Sequence, residues 1–263
     1  MAPQEQERRS ELISIKGLCT SYDGERVLHG VNAVFPKEKI SVLIGPNGCG
    51  KSTTVKSVMR LVPEYTGEIA VDGTPLENIS QKELARKIAY VSQSRNVPDI
   101  TVYNMVMHGR FPYLSYPRRY RKEDREIVSR AIETAGLSEF ADRKLENLSG
   151  GQRQKAYMAM ALAQDTDVII MDEPTTFLDV KNQFEMMDHA RKLTKEGKTV
   201  IMILHDMEAV LRYADHVVLM QDGRDVLSGS AEEVLRSKEM EEVFGIHAGF
   251  YEAEDGLHIY LKP

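Results

Sequence analysis

Cysteine, positive charge and long apolar runs are all scarce in this chain of 263 residues. Its two cysteines, Cys19 and Cys49, suit a reducing compartment and exclude a disulfide framework or a zinc site built from cysteines. The formal net charge of −6 gives no broad basic surface, which argues against affinity supplied by nucleic-acid phosphates. The longest apolar runs, Val168–Met171 and Val200–Leu204, have the length of strands, whereas a membrane-spanning helix needs about 18 residues. Because the start of the chain holds no hydrophobic signal core, we expect a cytoplasmic protein.

A glycine-rich turn follows the run Ile40–Ile44, which is apolar except for Ser41. The segment from Gly45 to Ser52 satisfies the pattern G-x-x-x-x-G-K-[ST], and apolar residues recur at helical spacing after Lys51. Strand, turn and helix in this order predict a phosphate-binding loop, because glycines let successive N–H groups converge on phosphate oxygens. We expect Lys51 to reach the β- and γ-phosphates, Ser52 to ligate Mg²⁺ and Thr53 to contact a phosphate. The other loop residues expected around the phosphates are Gly45, Pro46, Asn47, Gly48, Cys49 and Gly50.

Two single residues outside this loop are candidates for contacts to a nucleotide. Tyr22 lies at the tip of a hairpin predicted by the alternating segments 11–18 and 26–35, where it either stacks on adenine or covers the sheet edge. Gln93 follows a strand predicted over Lys87–Val91. Its carbonyl oxygen is suited to ligate Mg²⁺ and its side chain to position water, although a plain loop residue is the commoner role there.

Between Asn96 and Asn147 the pattern becomes helical. Helices are predicted over Thr101–Gly109 and Arg121–Ala135, and the segment between them reads R-F-P-Y-L-S-Y-P-R-R-Y-R-K. Its aromatic and basic residues indicate either a solvated loop whose aromatics pack inward or a docking surface for another protein. With 263 residues, the chain is long enough either for one α/β domain with a helical insertion or for two domains.

A second glycine pair opens the next helix. Leu148–Gln154 reads L-S-G-G-Q-R-Q and precedes a helix predicted to reach Gln164, with Ser149 as its N-cap. A capping serine beside two glycines predicts a second anion-binding site, this one without a lysine. Its residues are Ser149, Gly150, Gly151 and Gln152.

Two carboxylates follow the strand predicted over Asp167–Met171. Because α/β sheets bind ligands at the carboxyl ends of their strands, Asp172 is expected to hold Mg²⁺ through water and Glu173 to act as the general base. Asp179 is the expected cap of the following helix. His205 ends the strand predicted over Val200–Leu204, where a γ-phosphate sensor would lie, although a lone histidine is more often structural. The rest of the sequence predicts two short strands, a helical segment over 231–244 and a terminal hairpin, so that C-terminal helices and a hairpin occupy about residues 230–263.

With these motifs in order, the chain resembles the ATP-binding subunit of ABC transporters over roughly Leu12–Leu235. The motifs that carry the resemblance are Gly45–Thr53, Gln93, L-S-G-G-Q at Leu148–Gln152, V-I-I-M-D-E ending at Glu173, Leu178-Asp179 and His205. The resemblance implies one α/β nucleotide-binding domain: a P-loop NTPase (RecA-like) core, an antiparallel β subdomain and a helical subdomain inserted at about residues 94–155. It also implies an ATPase that uses ATP and Mg²⁺, in which Lys51, Gln93, Glu173 and His205 serve the reaction.

The resemblance also implies partners. Two such subunits, expected to be identical, would lie head to tail, each ATP between the loop Gly45–Thr53 of one and Ser149–Gln152 of the other. Asp179 would lie near the nucleotide, and the family's aromatic before the phosphate loop matches Tyr22, which favours stacking; Phe177 stands where many members carry alanine. The other expected partners are a transmembrane permease, which would hold the chain at the cytoplasmic face of the membrane, and indirectly an extracytoplasmic substrate-binding protein. No nucleic-acid partner is expected.

A finer resemblance links the chain to importers of ferric siderophores, haem and cobalamin. It rests on T-V-Y-N-M-V-M-H-G-R-F-P-Y from Thr101 to Tyr113, and on A-L-A-Q-D-T followed by D-E-P-T-T-F-L-D. The alternative is an ABC-type ATPase that acts on nucleic acid or ribosomes. Chromosome and repair relatives insert long coiled coils between the two glycine motifs, and the translation group carries two cassettes per chain, neither of which occurs here. A small P-loop kinase would leave L-S-G-G-Q unexplained.

The cysteine of the phosphate loop carries one further prediction. Cys49 lies between two glycines and beside Lys51, at the N-terminus of the predicted helix. Positive charge and a helix N-terminus both favour a thiolate, so we expect Cys49 to be a reactive thiol that bound ATP shields.

Overall fold

The apolar runs of the sequence become strands. The computed structural model describes residues 11–22, 24–93, 97–176 and 178–263, so predictions that involve Asp23, Asn96, Phe177 or the first ten residues lie outside the described residues. The strands are β1 (Glu11–Tyr22), β2 (Glu25–Pro36), β3 (Ile40–Ile44), β4 (Tyr65–Val71), β5 (Thr74–Pro75), β6 (Ile88–Val91), β7 (Val168–Asp172), β8 (Thr199–Ile203), β9 (His216–Gln221), β10 (Arg224–Gly229), β11 (His247–Ala253) and β12 (Gly256–Lys262).

The helices begin at capping residues in most cases. They are α1 (Lys51–Val58), α2 (Gln81–Lys87), α3 (Val102–His108), α4 (Lys122–Thr134), α5 (Gly150–Gln164), α6 (Val180–Lys195), α7 (Met207–Tyr213), α8 (Ala231–Leu235) and α9 (Lys238–Phe244). The helical segment predicted over 231–244 is confirmed, and it is divided into two helices, α8 and α9. The reason is Ser237, which is extended and accepts a hydrogen bond from the N–H of Met240, so that a new helix begins there. No helix of the described residues is long and apolar enough to cross a membrane.

The described residues form two units. The first joins the residues up to Ile79 with Met187–Pro263, and the second is Ser80–Met186, so the second is inserted into the sequence of the first. The predicted helical insertion lies within the second unit, which also contains β6 and β7. The assignment of the whole chain to one nucleotide-binding domain stays a prediction.

In the first unit, β3 lies inside a mainly parallel sheet. The strands of this unit follow the order β10, β9, β3, β8, and β3 pairs in parallel with β8 on one side and β9 on the other. All five residues of β3 are buried, and four of them are apolar, the exception being Ser41. A separate antiparallel sheet has the order β2, β1, β4, β5, and β11 pairs with β12 as the predicted terminal hairpin.

In the second unit, β6 and β7 pair in parallel, and α3, α4 and α5 pack around an apolar core. Val102, Val106 and Val128 of that core are completely buried. The aromatic and basic segment between α3 and α4 contains both buried and exposed side chains. Arg110 is 7% exposed, whereas Tyr116 is 98% exposed. A docking role for the exposed part stays a prediction.

Candidate active site

The predicted phosphate loop connects β3 to α1 in a backbone conformation that requires glycine. Gly45 has φ +147°, and a Cβ there would overlap the carbonyl oxygen of Met220. Gly50 caps α1 with φ +103°, and a Cβ there would lie 2.5 Å from a methyl carbon of Leu28. Both positions combine a left-handed backbone with a close neighbour, so side chains are excluded. The loop therefore presents backbone N–H groups at the start of a helix, as an anion site needs.

Lys51 folds back onto this loop. Its ammonium group donates hydrogen bonds of 2.7 Å to the carbonyl oxygen of Gly45 and 2.9 Å to that of Pro46. The side chain is 5% exposed, so these carbonyl groups compensate much of the cost of burying a charge. The same contacts hold the ammonium at the loop, where Asn47 and Gly48 are exposed.

The expectation that Cys49 is a reactive thiol is wrong. Its side chain is 4% exposed. Burial raises the pKa of the Cys49 thiol above its ordinary value, and the ammonium group of Lys51, 3.8 Å from the sulfur atom, offsets only part of that rise. A buried thiol with a raised pKa is a poor nucleophile.

A turn between β9 and β10 supports the phosphate loop. The sequence does not predict this contact. The N–H of Gly223 donates to the carbonyl oxygen of Cys49 at 3.0 Å, and the carbonyl of Gly223 accepts from the N–H of His29 at 2.8 Å. A Cβ on Gly223 would overlap the carbonyl oxygen of Val27. The sequence signals only a turn at this glycine, because the contact joins residues that are distant along the chain.

Ser52 and Thr53 lie in the first turn of α1 and are half-buried. His205 follows β8, is exposed, and directly precedes Asp206, whose carboxylate caps α7 by accepting from the N–H groups of Glu208 and Ala209. Tyr22 is the last residue of β1. The roles predicted for these residues stay predictions.

In the second unit, the two predicted carboxylates lie where β7 ends. Asp172 is its last residue and is 4% exposed, and its Oδ2 accepts a hydrogen bond of 3.2 Å from the hydroxyl of Tyr90. Glu173 adopts φ +52°, a left-handed conformation that is rare outside glycine and is found at functional sites. These carboxylates are thus presented by one strand and the turn after it.

Gln93 and Glu173 come together, as an active site requires. The side-chain amide of Gln93 donates a hydrogen bond of 2.5 Å to Glu173 Oε2. The hydroxyl of Thr176 donates to the same oxygen at 3.2 Å. Two donors on one oxygen fix the carboxylate in a single orientation. Neither Thr176 nor Tyr90 is signalled by the sequence, since the contact of Thr176 depends on the turn after β7 and that of Tyr90 on the pairing of β6 with β7.

Ser149 caps α5 as predicted. Its hydroxyl accepts from the N–H of Gln152 at 3.2 Å, and the side chain of Gln152 accepts from the N–H of Ser149 at 3.0 Å. Ser149 and Gly150 are exposed, so the helix N-terminus faces solvent. Asp179 also caps as predicted, since it accepts from the N–H of Asn182 at 2.8 Å. Binding of a phosphate here stays a prediction.

The residues proposed for Mg²⁺ fit a hard cation. A serine hydroxyl, a glutamine carbonyl and an aspartate carboxylate supply only oxygen, the ligand type that Mg²⁺ prefers. Asp172 suits this role because its carboxylate is almost fully buried at a strand end. No group of three or more His, Cys, Asp or Glu that would hold a different metal occurs in the described part of the chain.

The chain is similar to known proteins. A family model described as ABC transporter matches residues 28–176. The petrobactin import ATP-binding protein FpuD of Bacillus anthracis is 40% identical over 88% of this chain and 86% of its own length. The iron(3+)-hydroxamate import ATP-binding protein FhuC of Bacillus subtilis is 38% identical over 90% of this chain and 88% of its own. A solved metal-chelate type ABC transporter in an inward-facing conformation matches 97% of each chain with TM-score 0.83 and 24% identity, a likeness in fold alone.

Proposed function

The chain belongs to the ABC transporter family as an ATP-hydrolysing subunit, and from that membership we propose that it energises the uptake of an iron chelate through a membrane permease. The substrate class would be a ferric siderophore or a related haem or cobalamin-type molecule. The observation that carries this proposal is the identity of 40% and 38% with ATP-binding subunits named for petrobactin and hydroxamate import. The fit extends over nearly the whole chain, including both glycine motifs.

For the reaction we propose that Glu173 polarises the attacking water and that Gln93 helps to position it. The hydrogen bond between the two side chains supports this pairing. Lys51 would exchange the carbonyl groups of Gly45 and Pro46 for the β- and γ-phosphates of ATP. His205 would contact the γ-phosphate, and Tyr22 would stack on adenine. The phosphates would be surrounded by the remaining loop residues, Pro46 to Gly50 with Ser52 and Thr53.

Mg²⁺ would be held by Ser52, Gln93 and Asp172. When bound, it neutralises the charge that develops on the phosphate oxygens. The chain's own contribution is the orientation of these side chains. Asp172 is fixed at the end of a buried strand, and Ser52 in the first turn of α1.

We further propose a head-to-tail dimer with an identical second subunit. ATP would lie between Gly45–Thr53 of one copy and Ser149–Gln152 of the other, with Asp179 close by. The exposed N-terminus of α5 supports this, because a helix N-terminus with a capping serine attracts the γ-phosphate and needs an open face to receive it. Each site would then be complete only when two copies meet.

We propose that the permease contacts the helical insertion, and this contact would hold the chain at the cytoplasmic face of the membrane. An apolar pocket of about 400 Å³ supports this contact. One of its lining residues, Ser92, directly precedes Gln93 in the chain. The pocket is lined by Tyr90, Val91, Ser92, Val97, Pro98, Met105, Tyr157 and Met160. An extracytoplasmic substrate-binding protein would deliver the chelate to the permease.

Uptake of a radiolabelled ferric siderophore tests the function. Cells whose own copy is replaced by the parent chain or by Glu173→Gln would be compared, with both proteins expressed to equal levels. Uptake is expected with the parent alone, and the tagged parent should copurify with a membrane permease. Uptake at the same rate with both proteins, or copurification with RNA or ribosomes in place of a permease, would refute the proposal.

A further inference from the structure

Tyr90 contacts both an apolar pocket and the buried carboxylate of Asp172. Its ring lines the apolar pocket of the second unit, together with Met105, Tyr157 and Met160. Its hydroxyl group donates a hydrogen bond of 3.2 Å to Oδ2 of Asp172. One side chain thus extends from the pocket to the buried carboxylate.

The pairing of β6 with β7 explains this reach. Tyr90 lies opposite Ile170 in the parallel register, so their side chains lie on the same face of the sheet. Asp172 follows Ile170 by two residues and shares that face, because side chains alternate along a strand. A tyrosine at this position is long enough to place its hydroxyl at the end of β7, whereas a phenylalanine would fill the same space without the hydroxyl.

The hydrogen bond matters because Asp172 is buried. With 4% of its surface exposed, its carboxylate has little access to bulk water and depends on protein donors for its orientation. A donor fixed on Oδ2 restricts rotation of the carboxylate about its last bond. Hydrogen-bond donors of this kind orient metal-binding carboxylates, and their loss lowers metal affinity by about 10- to 100-fold.

We propose that Tyr90 is a positioning residue for the divalent cation: its hydroxyl holds the Asp172 carboxylate in the orientation that binds the cation accompanying ATP. This inference rests on the proposed role of Asp172. The two parts of Tyr90 then have different roles. Its ring lines the apolar pocket, and its hydroxyl orients the carboxylate of Asp172.

The test is cation affinity measured without turnover. Mn²⁺ is titrated into the purified full-length chain with a non-hydrolysable ATP analogue, and Mn²⁺ bound to the protein is followed by electron paramagnetic resonance. Tyr90→Phe keeps the ring and removes the hydroxyl, so the Mn²⁺ concentration at half saturation should rise about 10-fold. Tyr157→Phe is the matched control, because it removes a hydroxyl from another ring of the same pocket, and it should stay within about 2-fold of the parent. Melting temperatures confirm that both variants are folded.

A second arm separates this inference from the proposed role of Asp172. Asp172→Asn should weaken Mn²⁺ binding at least as much as Tyr90→Phe, and the double variant should bind no more weakly than Asp172→Asn alone. Unchanged affinity in Tyr90→Phe, with weak binding in Asp172→Asn, overturns the inference and leaves the role of Asp172 intact. Unchanged affinity in Asp172→Asn overturns both. Equal losses in Tyr90→Phe and Tyr157→Phe, or additive losses in the double variant, show a general effect on the pocket and also overturn the inference.

Discussion

The ion pair between Arg110 and Asp124 should be the main polar support of the helical insertion. Nε of Arg110 donates to Asp124 Oδ1 at 2.9 Å, and the two side chains are 8% and 9% exposed. A second guanidinium N–H donates to the carbonyl oxygen of Ala163 at 3.0 Å. Asp124→Asn keeps the shape of the side chain and removes its charge. It therefore leaves the cation buried without its counter-ion.

The expected loss is large for a single substitution. Removing one partner of a buried ion pair costs about 3–5 kcal/mol of the free energy of unfolding, because the remaining charge stays uncompensated. Here the remaining cation keeps the carbonyl of Ala163 and the ring of Tyr113, whose centre lies 4.0 Å from the guanidinium carbon. We therefore expect a loss near the lower limit, about 3 kcal/mol.

Urea-induced unfolding, followed by far-ultraviolet circular dichroism, measures this loss. Glu126→Gln is the control, since it also removes one carboxylate from α4. Its partner is Lys122, at 3.6 Å, and the two side chains are 59% and 86% exposed. An exposed pair of this kind contributes less than about 0.5 kcal/mol.

The pH dependence gives a second signature. Burial on its own would raise the pKa of Asp124, but hydrogen bonds from the N–H of Arg121 and from Arg110 outweigh it and hold the pKa below its ordinary value. A lowered folded-state pKa contributes stability above the unfolded pKa, about 3.9, and that stability is lost as pH falls through the folded pKa. The difference between parent and Asp124→Asn should therefore be constant near neutral pH and shrink below about pH 4. A loss under about 1 kcal/mol at neutral pH, or one that does not shrink in acid, would refute the reasoning.

Three further predictions concern the nucleotide site and the C-terminal hairpin. Glu173→Gln should abolish ATP turnover while ATP-dependent dimerisation, measured by size-exclusion chromatography, survives, because the binding groups are untouched. Gly45→Ala should destabilise the chain by about 2–3 kcal/mol and weaken binding of a fluorescent ATP analogue, because the new Cβ overlaps the carbonyl oxygen of Met220. A hydrogen bond to Asp255 raises the pKa of His258, so this group stabilises the chain below its unfolded pKa, about 6.5, and that stability is lost as pH rises through the folded pKa. His258→Gln should therefore lower the melting temperature at pH 6 more than at pH 9.

Each of these has a contrary result. Hydrolysis near the parent rate in Glu173→Gln would remove Glu173 from the role of base. Gly45→Ala with parental stability and nucleotide affinity would mean that the loop tolerates a side chain at its first residue. A melting-temperature difference for His258→Gln that is the same in acid and alkali would show that the charge on His258 contributes nothing.

Local signals were sufficient for much of the fold. The strand, glycine turn and helix around Lys51 were predictable because each element has its own residue pattern, and the caps at Ser149 and Asp179 because capping chemistry acts within a few residues. The break at Ser237 was missed, since a serine inside a polar helical pattern does not reveal whether it caps. Helix boundaries thus depend on which local hydrogen bond forms.

The parts of the site that escaped prediction depend on distant neighbours. Cys49 was expected to be reactive because Lys51 is adjacent in sequence, yet its burial, which is decided by the surrounding unit, raises its pKa. Tyr90 becomes a partner of Asp172 only because β6 and β7 pair in one particular register. Sequence spacing carries no information about either.

The strand that leads into the phosphate loop pairs with strands that lie far from it in the sequence. β3 ends at Ile44, but its two flanking strands begin only at Thr199 and His216, and the turn that supports Cys49 comes at Gly223. Contacts between such distant residues form late in folding. During synthesis on the ribosome the surroundings of the nucleotide loop are therefore completed only after β9 has been made, whereas all residues of the inserted unit, which ends at Met186, are made earlier. A newly made chain thus gains its ATP-binding loop later than its inserted unit, and a truncation before β9 should prevent ATP binding.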